Sequence, residues 1–212
     1  MMRAVNLIIH SFMACLLSSA HAINPEPLLD YCIADLSSPY TFNGPPCKDP
    51  NLATPDDFAT SALSKPGNTS VGKFGSSVIL TTYQNLPGHR TQGLSMARID
   101  IAPNGLVPPH SHPRASEVTT CLKGEILVGF VGASNNELYT QQLRAGQIHF
   151  LFNLDEKRPS WAVSGLSSEN PGAQIVPLST FTSKPPLPDV VLKKAFKIDG
   201  QEVARIRQRL EG

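Results

Sequence analysis

The sequence lacks three features that would each point to a different class of protein. It has almost no net charge: 18 Lys or Arg face 17 Asp or Glu, giving +1 at pH 7. This balance gives no basis for a nucleic-acid or anionic membrane surface. Its longest apolar stretch, 5–17, is shorter than the ~20 residues of a transmembrane helix. A helical repeat of apolar residues is also missing before residue 186, which argues against a helical domain.

The first 22 residues have the pattern of a secretory signal peptide. Arg3 provides the positive start, an apolar stretch follows, and Ala20-His21-Ala22 is a small-x-small cleavage pattern. Without this segment the chain has 17 basic and 17 acidic residues, a net charge of zero. We therefore predict an exported, soluble protein of about 190 residues, which is enough for one domain with a sizeable core.

Export makes disulfides and glycans permissible. Cys32 and Cys47 lie close together in a Pro- and Gly-rich segment, where a bridge would tie down an N-terminal arm. Cys121 is then the odd thiol, and we expect it to be a small buried hydrophobic residue. Asn68-Thr69-Ser70 is a glycosylation sequon, so Asn68 is predicted to carry a glycan.

The rest of the chain predicts an all-β domain. Residues 23–75 are rich in turn formers and indicate an irregular arm. Short β-favouring runs separated by turn residues follow at spacings near ten, which favours an antiparallel sandwich or barrel over 76–182. These runs are 77–83, 94–101, 116–122, 125–131, 137–143, 147–152, 161–166 and 174–177.

The C-terminal segment 183–212 predicts two short helices. One follows Pro188-Asp189, and the second follows Asp199-Gly200, placing Val203, Ile206 and Leu210 on one face. Such helices have little partner surface of their own, so we expect them to pack on the barrel or on a neighbouring subunit.

Three imidazoles and one carboxylate form the candidate site. His110 and His112 point to the same side of a strand, and His149 lies on a later strand. In an unbroken strand Glu117 would face the side opposite to His110 and His112. Residues 113–116 must therefore turn or bulge the chain. A single histidine is usually an ordinary core or surface residue, but three of the four left after residue 22 fall in two compact motifs. The pattern predicts a site for a divalent ion such as manganese or iron.

These motifs resemble those of a known family. The stretch from Gly105 to Gly124, which includes Pro109-His110-Ser111-His112-Pro113, resembles the first cupin motif of plant germins and germin-like proteins. Residues 146–153 resemble the second motif, and the similarity extends to residues 30–35, to both arm cysteines and to Ala195-Phe196. It therefore covers nearly the whole exported chain.

The resemblance implies a fold, an ion and an assembly. The fold is a cupin β-jelly-roll barrel with an N-terminal disulfide. The ion is manganese, held by His110, His112, Glu117 and His149, and the assembly is a hexamer built as a trimer of dimers, in the cell wall space (the apoplast). By strand parity, Asn153 shares a face with His149. It is predicted to interact with the metal ligands without itself contacting the ion.

The resemblance also indicates what the chain does. Superoxide dismutation at a manganese ion is the leading hypothesis, and a non-catalytic metal-binding, storage or receptor-ligand protein is the alternative. Germins that oxidise oxalate use two asparagines, three and thirteen residues before the first ligand histidine. Val107 and Ala97 stand at those positions and cannot donate hydrogen bonds to a small-molecule substrate such as oxalate. Oxalate oxidase activity is therefore disfavoured.

Overall fold

The computed structural model describes residues 30–140 and 148–211. The predicted signal peptide, the first residues of the predicted arm and the end of the predicted strand 137–143 lie outside the described residues.

Two antiparallel sheets form the main part of the described chain. One has the strand order β1-β2-β8-β4 and the other has the order β6-β5-β7-β3-β9. This confirms the predicted all-β class. The strands are β1 (Ser76–Leu80), β2 (Ser95–Ile101), β3 (Leu106–Ser111), β4 (Glu117–Lys123), β5 (Ile126–Val131), β6 (Leu138–Tyr139), β7 (Ile148–Asn153), β8 (Ser160–Leu166) and β9 (Gln174–Ile175).

The core lies between the inner faces of the two sheets. Ile99 and Ile101 of β2 are buried against Leu151 of β7. Because successive side chains of a strand face opposite sides, Arg98 and Asp100 lie on the outer face of β2. There the two side chains are buried as an ion pair with N–O distances of 2.8 and 2.9 Å. The inner face of β2 is apolar from Ala97 to Ile101.

The N-terminal arm is irregular and is fixed to the domain at several points. It contains the predicted Cys32–Cys47 disulfide. The backbone amide of Ala34 donates to the carbonyl of Pro87, 3.0 Å away. Within the arm, Lys48 forms an ion pair with Asp57 at 2.8 Å. Three short 3₁₀ helices occur in and after the arm: Pro50–Leu52, Pro55–Phe58 and Pro87–His89.

Three helices follow the last strand: α1 (Val176–Phe181), α2 (Asp189–Phe196) and α3 (Gly200–Glu211). Phe181, Leu192 and Val203, one from each helix, form a buried cluster of their own. Arg207 of α3 fastens the group, because its guanidinium donates to Asp189 and to the carbonyls of Phe181 and Leu187. None of the helices in residues 30–140 and 148–211 is long and apolar enough to cross a membrane.

Two sequence expectations were wrong. The predicted strand 174–177 ends at Ile175, because Pro177 lies in the first turn of α1, where its missing N–H costs no helical hydrogen bond. Cys121 is exposed rather than buried. It lies on β4, which is an edge strand, and the register of β4 shifts directly after it.

Candidate metal centre

The fold brings the four predicted ligands together from both sheets. His110 on β3 lies directly opposite His149 on β7, in register. His112 follows the end of β3, and Glu117 is the first residue of β4 in the other sheet. The chain between His112 and Glu117 therefore crosses from one sheet to the other. This crossing is the turn that the parity of Glu117 required, and it brings Glu117 to the three histidines.

The ligand atoms of these four residues, hereafter the ligand group, all lie within 4.8 Å of one another. Oε2 of Glu117 is 2.9 Å from Nε2 of His112 and 3.2 Å from Nε2 of His149. His110, Glu117 and His149 are buried, and His112 is partly buried. The group is therefore compact enough for a single ion to contact all four side chains.

Backbone carbonyls orient two of the imidazoles. Nδ1 of His110 donates to the carbonyl of Pro108 at 2.8 Å, and Nδ1 of His112 donates to the carbonyl of Gly172. With the proton fixed on Nδ1, the lone pair of Nε2 points toward the other ligands. This pattern is typical of metal-binding histidines, whose second nitrogen is held by a carbonyl or carboxylate.

Gly172 can hold His112 only because it is glycine. Its φ is +66°, in the left-handed region, and a Cβ there would lie 2.8 Å from Nη2 of Arg114. Arg114 in turn fixes the same segment: its Nε donates to the carbonyl of Asn170 at 2.7 Å, and its Nη2 donates to the Asn170 amide oxygen at 2.9 Å. The segment 170–172 is thereby fastened to the chain that follows His112.

Two hydroxyl groups hold the carboxylate of Glu117. The hydroxyl of Thr119 donates to Oε1 at 3.1 Å and lies 2.8 Å from the hydroxyl of Ser164. Thr119 and Ser164 are direct partners in the register of β4 and β8, and Ser164 is fully buried. Oε2 is buried and lies against the Nε2 atoms of His112 and His149. Oε1 is therefore anchored, while Oε2 is left facing the imidazoles.

The pKa values of three ligands depend on burial and on the neighbouring groups. Burial lowers the pKa of His110 to about 4, and repulsion from His149 adds to the effect. Burial alone would raise the pKa of Glu117, but the close imidazoles of His112 and His149 outweigh it and hold that pKa well below its usual range. For His112, burial is outweighed by Glu117 and the Gly172 carbonyl, so its pKa is raised.

Asn153 is placed differently from the supporting role predicted for it. The parity argument is right, since Asn153 is fully buried on the same face as His149. Its amide nitrogen, however, donates to the carbonyls of Ala102 and Arg158 at 2.9 Å, and its amide oxygen accepts from Ser160 and from the backbone of Asp155. These partners lie at the end of β7 that is far from His149. The hydrogen bonds of Asn153 thus stabilise turns rather than ligands.

A cavity of about 320 Å³ lies beside the ligand group. His110, His112 and Glu117 form part of its wall, and aliphatic side chains from both sheets form most of the rest. Val107 and Ala97 are among them, and both are buried. The two positions that would need asparagine for oxalate oxidation thus face the cavity with side chains that cannot hydrogen-bond.

The donor set fits a divalent metal ion. Three imidazoles and one carboxylate are ligands that manganese, iron and zinc all accept, and a wall that opens on a cavity leaves positions for water or substrate. The buried Oε2 of Glu117 supports the same conclusion, because it faces the Nε2 atoms of His112 and His149, and a carboxylate charge at this depth is costly without a cation beside it.

Comparison with known proteins gives the same picture. Residues 61–204 match the cupin family model. A germin-like protein of subfamily 1 (member 1) from Arabidopsis thaliana is 54% identical over 200 residues, covering 89% of this chain and 92% of the relative. Germin-like protein 3-1 from Oryza sativa subsp. japonica is 50% identical, covering 89% of this chain and 90% of the relative.

Among solved structures, an oxalate oxidase is 40% identical with a TM-score of 0.80, covering 88% of this chain and 97% of that one. An oxalate decarboxylase from Bacillus subtilis, at 12% identity and a TM-score of 0.51, shares the fold alone. The similarity spans nearly the whole length of both germin-like relatives, so it is not confined to one motif. The sheets, the convergent ligand group and these relatives together show that the chain belongs to the germin-like proteins of the cupin family.

Proposed function

We propose that this germin-like protein is exported to the plant cell wall space, binds manganese through His110, His112, Glu117 and His149, and removes superoxide there. The observation that carries the proposal is the ligand group itself, with its imidazoles oriented by backbone carbonyls and its carboxylate anchored by Thr119. When bound, manganese supplies the one-electron chemistry that converts two superoxide ions and two protons to oxygen and hydrogen peroxide.

The side chains of the chain itself do three things in this scheme. The imidazoles bind as neutral ligands, for which the fixed Nδ1 protons of His110 and His112 prepare them. Glu117 contributes one negative charge and keeps the net charge of the site low. The apolar cavity wall excludes most water, so that only small molecules reach the open side of the group.

Other parts of the proposal rest on the sequence pattern and on the relatives. Export is supported by the leader-like residues 1–22 and by a disulfide in the arm. Asn68 is exposed and is proposed to carry a glycan. Assembly as a hexamer of three dimers is proposed from the germin resemblance, and exposed apolar residues on α2, such as Val190, are consistent with a covered helix face. Size-exclusion chromatography at the mass of a monomer would contradict the assembly.

The test is metal content and superoxide removal measured on one preparation. Full-length chain secreted from a eukaryotic host is analysed for metals, and its rate of superoxide removal is compared with that of free manganese at the same concentration. We expect bound manganese and a rate well above that of the free ion. His110→Gln should lose both, whereas Ser111→Ala, the neighbouring control, should keep both.

The second candidate is a non-catalytic extracellular protein that binds metal for storage or for a receptor. The exposed apolar residues of the arm, such as Phe42 at 98% exposure, favour a protein that contacts a partner. A preparation that holds manganese but removes superoxide no faster than free manganese would favour this candidate. Oxalate oxidation stays disfavoured, because Val107 and Ala97 face the cavity. Release of hydrogen peroxide on adding oxalate would overturn that judgement.

A further inference from the structure

The cavity beside the ligand group is far larger than superoxide requires. Its volume of about 320 Å³ is at the lower end of the pockets that hold small organic ligands. Its walls are aliphatic side chains on strands of both sheets, among them Val78, Leu80, Ile99, Leu151 and Leu166. Val78, on the edge strand β1, lines the cavity and is still 52% exposed. A diatomic ion would leave most of this apolar surface without a partner.

The polar groups of the wall are concentrated at one end. They are three members of the ligand group and Asn170, whose amide oxygen is already bonded to Arg114. No lysine or arginine lines the cavity in the parts of the chain that the structure covers. A ligand can therefore be bound through a charge only at the metal end, and its remainder must be apolar to match the walls.

Charge balance at the metal end restricts the ligand further. A divalent ion with three neutral imidazoles and the Glu117 carboxylate carries a net charge of +1. A monoanion neutralises it. A dianion such as oxalate would place an excess negative charge between aliphatic walls that offer no cation and little hydrogen bonding.

We propose that the cavity binds organic monoanions, with one carboxylate or phenolate oxygen at the metal and an apolar body against Val78, Leu80 and Leu151. This inference rests on the metal-binding part of the proposed function and is independent of superoxide removal. Such a molecule occupies the open side of the ligand group, so it acts there as a competitor of superoxide or as the physiological ligand.

The experiment is a chain-length series on the manganese-loaded full-length protein. Acetate, propionate, butyrate, pentanoate and hexanoate are titrated by calorimetry, and the manganese paramagnetic resonance spectrum reports whether the ligand reaches the ion. We expect the affinity to rise by about 4-fold for each added methylene until the cavity is full. Hexanamide should bind far more weakly than hexanoate, and oxalate should bind more weakly than hexanoate. A parallel phenol and 4-ethylphenol arm distinguishes phenolate from carboxylate ligands.

Two variants test the position of the apolar body. Ala97→Leu fills part of the cavity and should lower the affinity for hexanoate by about 16-fold, the value of two methylenes. Val78→Thr, at the exposed edge where folding is little disturbed, should lower it by about 4-fold. Met96→Leu, on the outer face of the same strand as Ala97, is the matched control and should bind as wild type.

An affinity that does not change along the series, equal binding to the metal-free protein, or tighter binding of oxalate than of hexanoate would each overturn the inference. These results are separable from failure of the proposed function. Loss of the latter appears as a preparation without manganese or without superoxide removal, and both are measured before any organic anion is added.

Discussion

Replacement of Thr119 by valine tests how firmly the fold holds its carboxylate ligand. The Thr119 hydroxyl donates to Oε1 of Glu117 at 3.1 Å and contacts the buried hydroxyl of Ser164. Valine has nearly the same shape, so the change removes the hydroxyl without opening a cavity. A hydrogen bond to a charged group contributes about 1.5–3 kcal/mol, and loss of a residue that orients a metal ligand costs about 10–100-fold in metal affinity. We therefore expect the manganese dissociation constant to rise by about 10–100-fold.

The assay is titration of metal-free protein with manganese, following the paramagnetic resonance signal of the free ion. Thr119→Ser keeps the hydroxyl and should restore most of the affinity. Thr120→Val, exposed on the opposite face of β4, should leave it unchanged. A folded Thr119→Val protein with wild-type affinity would refute the argument. So would equal losses in Thr119→Val and Thr119→Ser, because the cause would then be packing and not the hydrogen bond.

Four further results are expected. Removing the metal with a chelator should lower the melting temperature, since an ion at 100 times its dissociation constant adds about 2.7 kcal/mol; an unchanged scan would contradict binding by the folded state. Asn153→Ala should cost about 3 kcal/mol or more in urea unfolding, because it leaves buried carbonyls unpaired, while manganese affinity stays as in wild type; a large loss of affinity would instead restore the supporting role. Replacing both Cys32 and Cys47 by serine should cost about 3 kcal/mol, the closure of a 15-residue loop, in the same assay. In the metal-free protein, the His110 pKa of about 4 lies below its ordinary value of 6.5. As the pH drops, the unfolded chain therefore takes up this proton before the folded protein does, and the free energy of unfolding falls between pH 6.5 and 4. His110→Gln should show a shallower fall between pH 7 and 5.

The sequence was sufficient for the class of fold and for which side chains meet. Strand parity placed His110 and His112 together, and the mismatch of Glu117 required a break that proved to be a crossing between sheets. Ser164 could not be linked to Glu117, because that link depends on the register of β4 against β8, which local pattern does not specify.

Where prediction was wrong or incomplete, long-range structure decided the outcome. Cys121 looked like a core residue, but it lies on an edge strand at a register shift. The Asn153 side chain lies on the predicted face of its strand, but it is too far along the strand to reach the ligands. The Gly172 carbonyl that orients His112 comes from a segment 60 residues later in the chain, and no local signal marks it.

Because the ligand group is divided between the two sheets, a bound ion links one sheet to the other. His110 and His149 belong to one layer and Glu117 to the other, so metal release and separation of the layers are linked events. Any change that loosens the packing between the layers, however far from the histidines, should therefore speed escape of the ion. Manganese retention would then report the tightness of the whole fold.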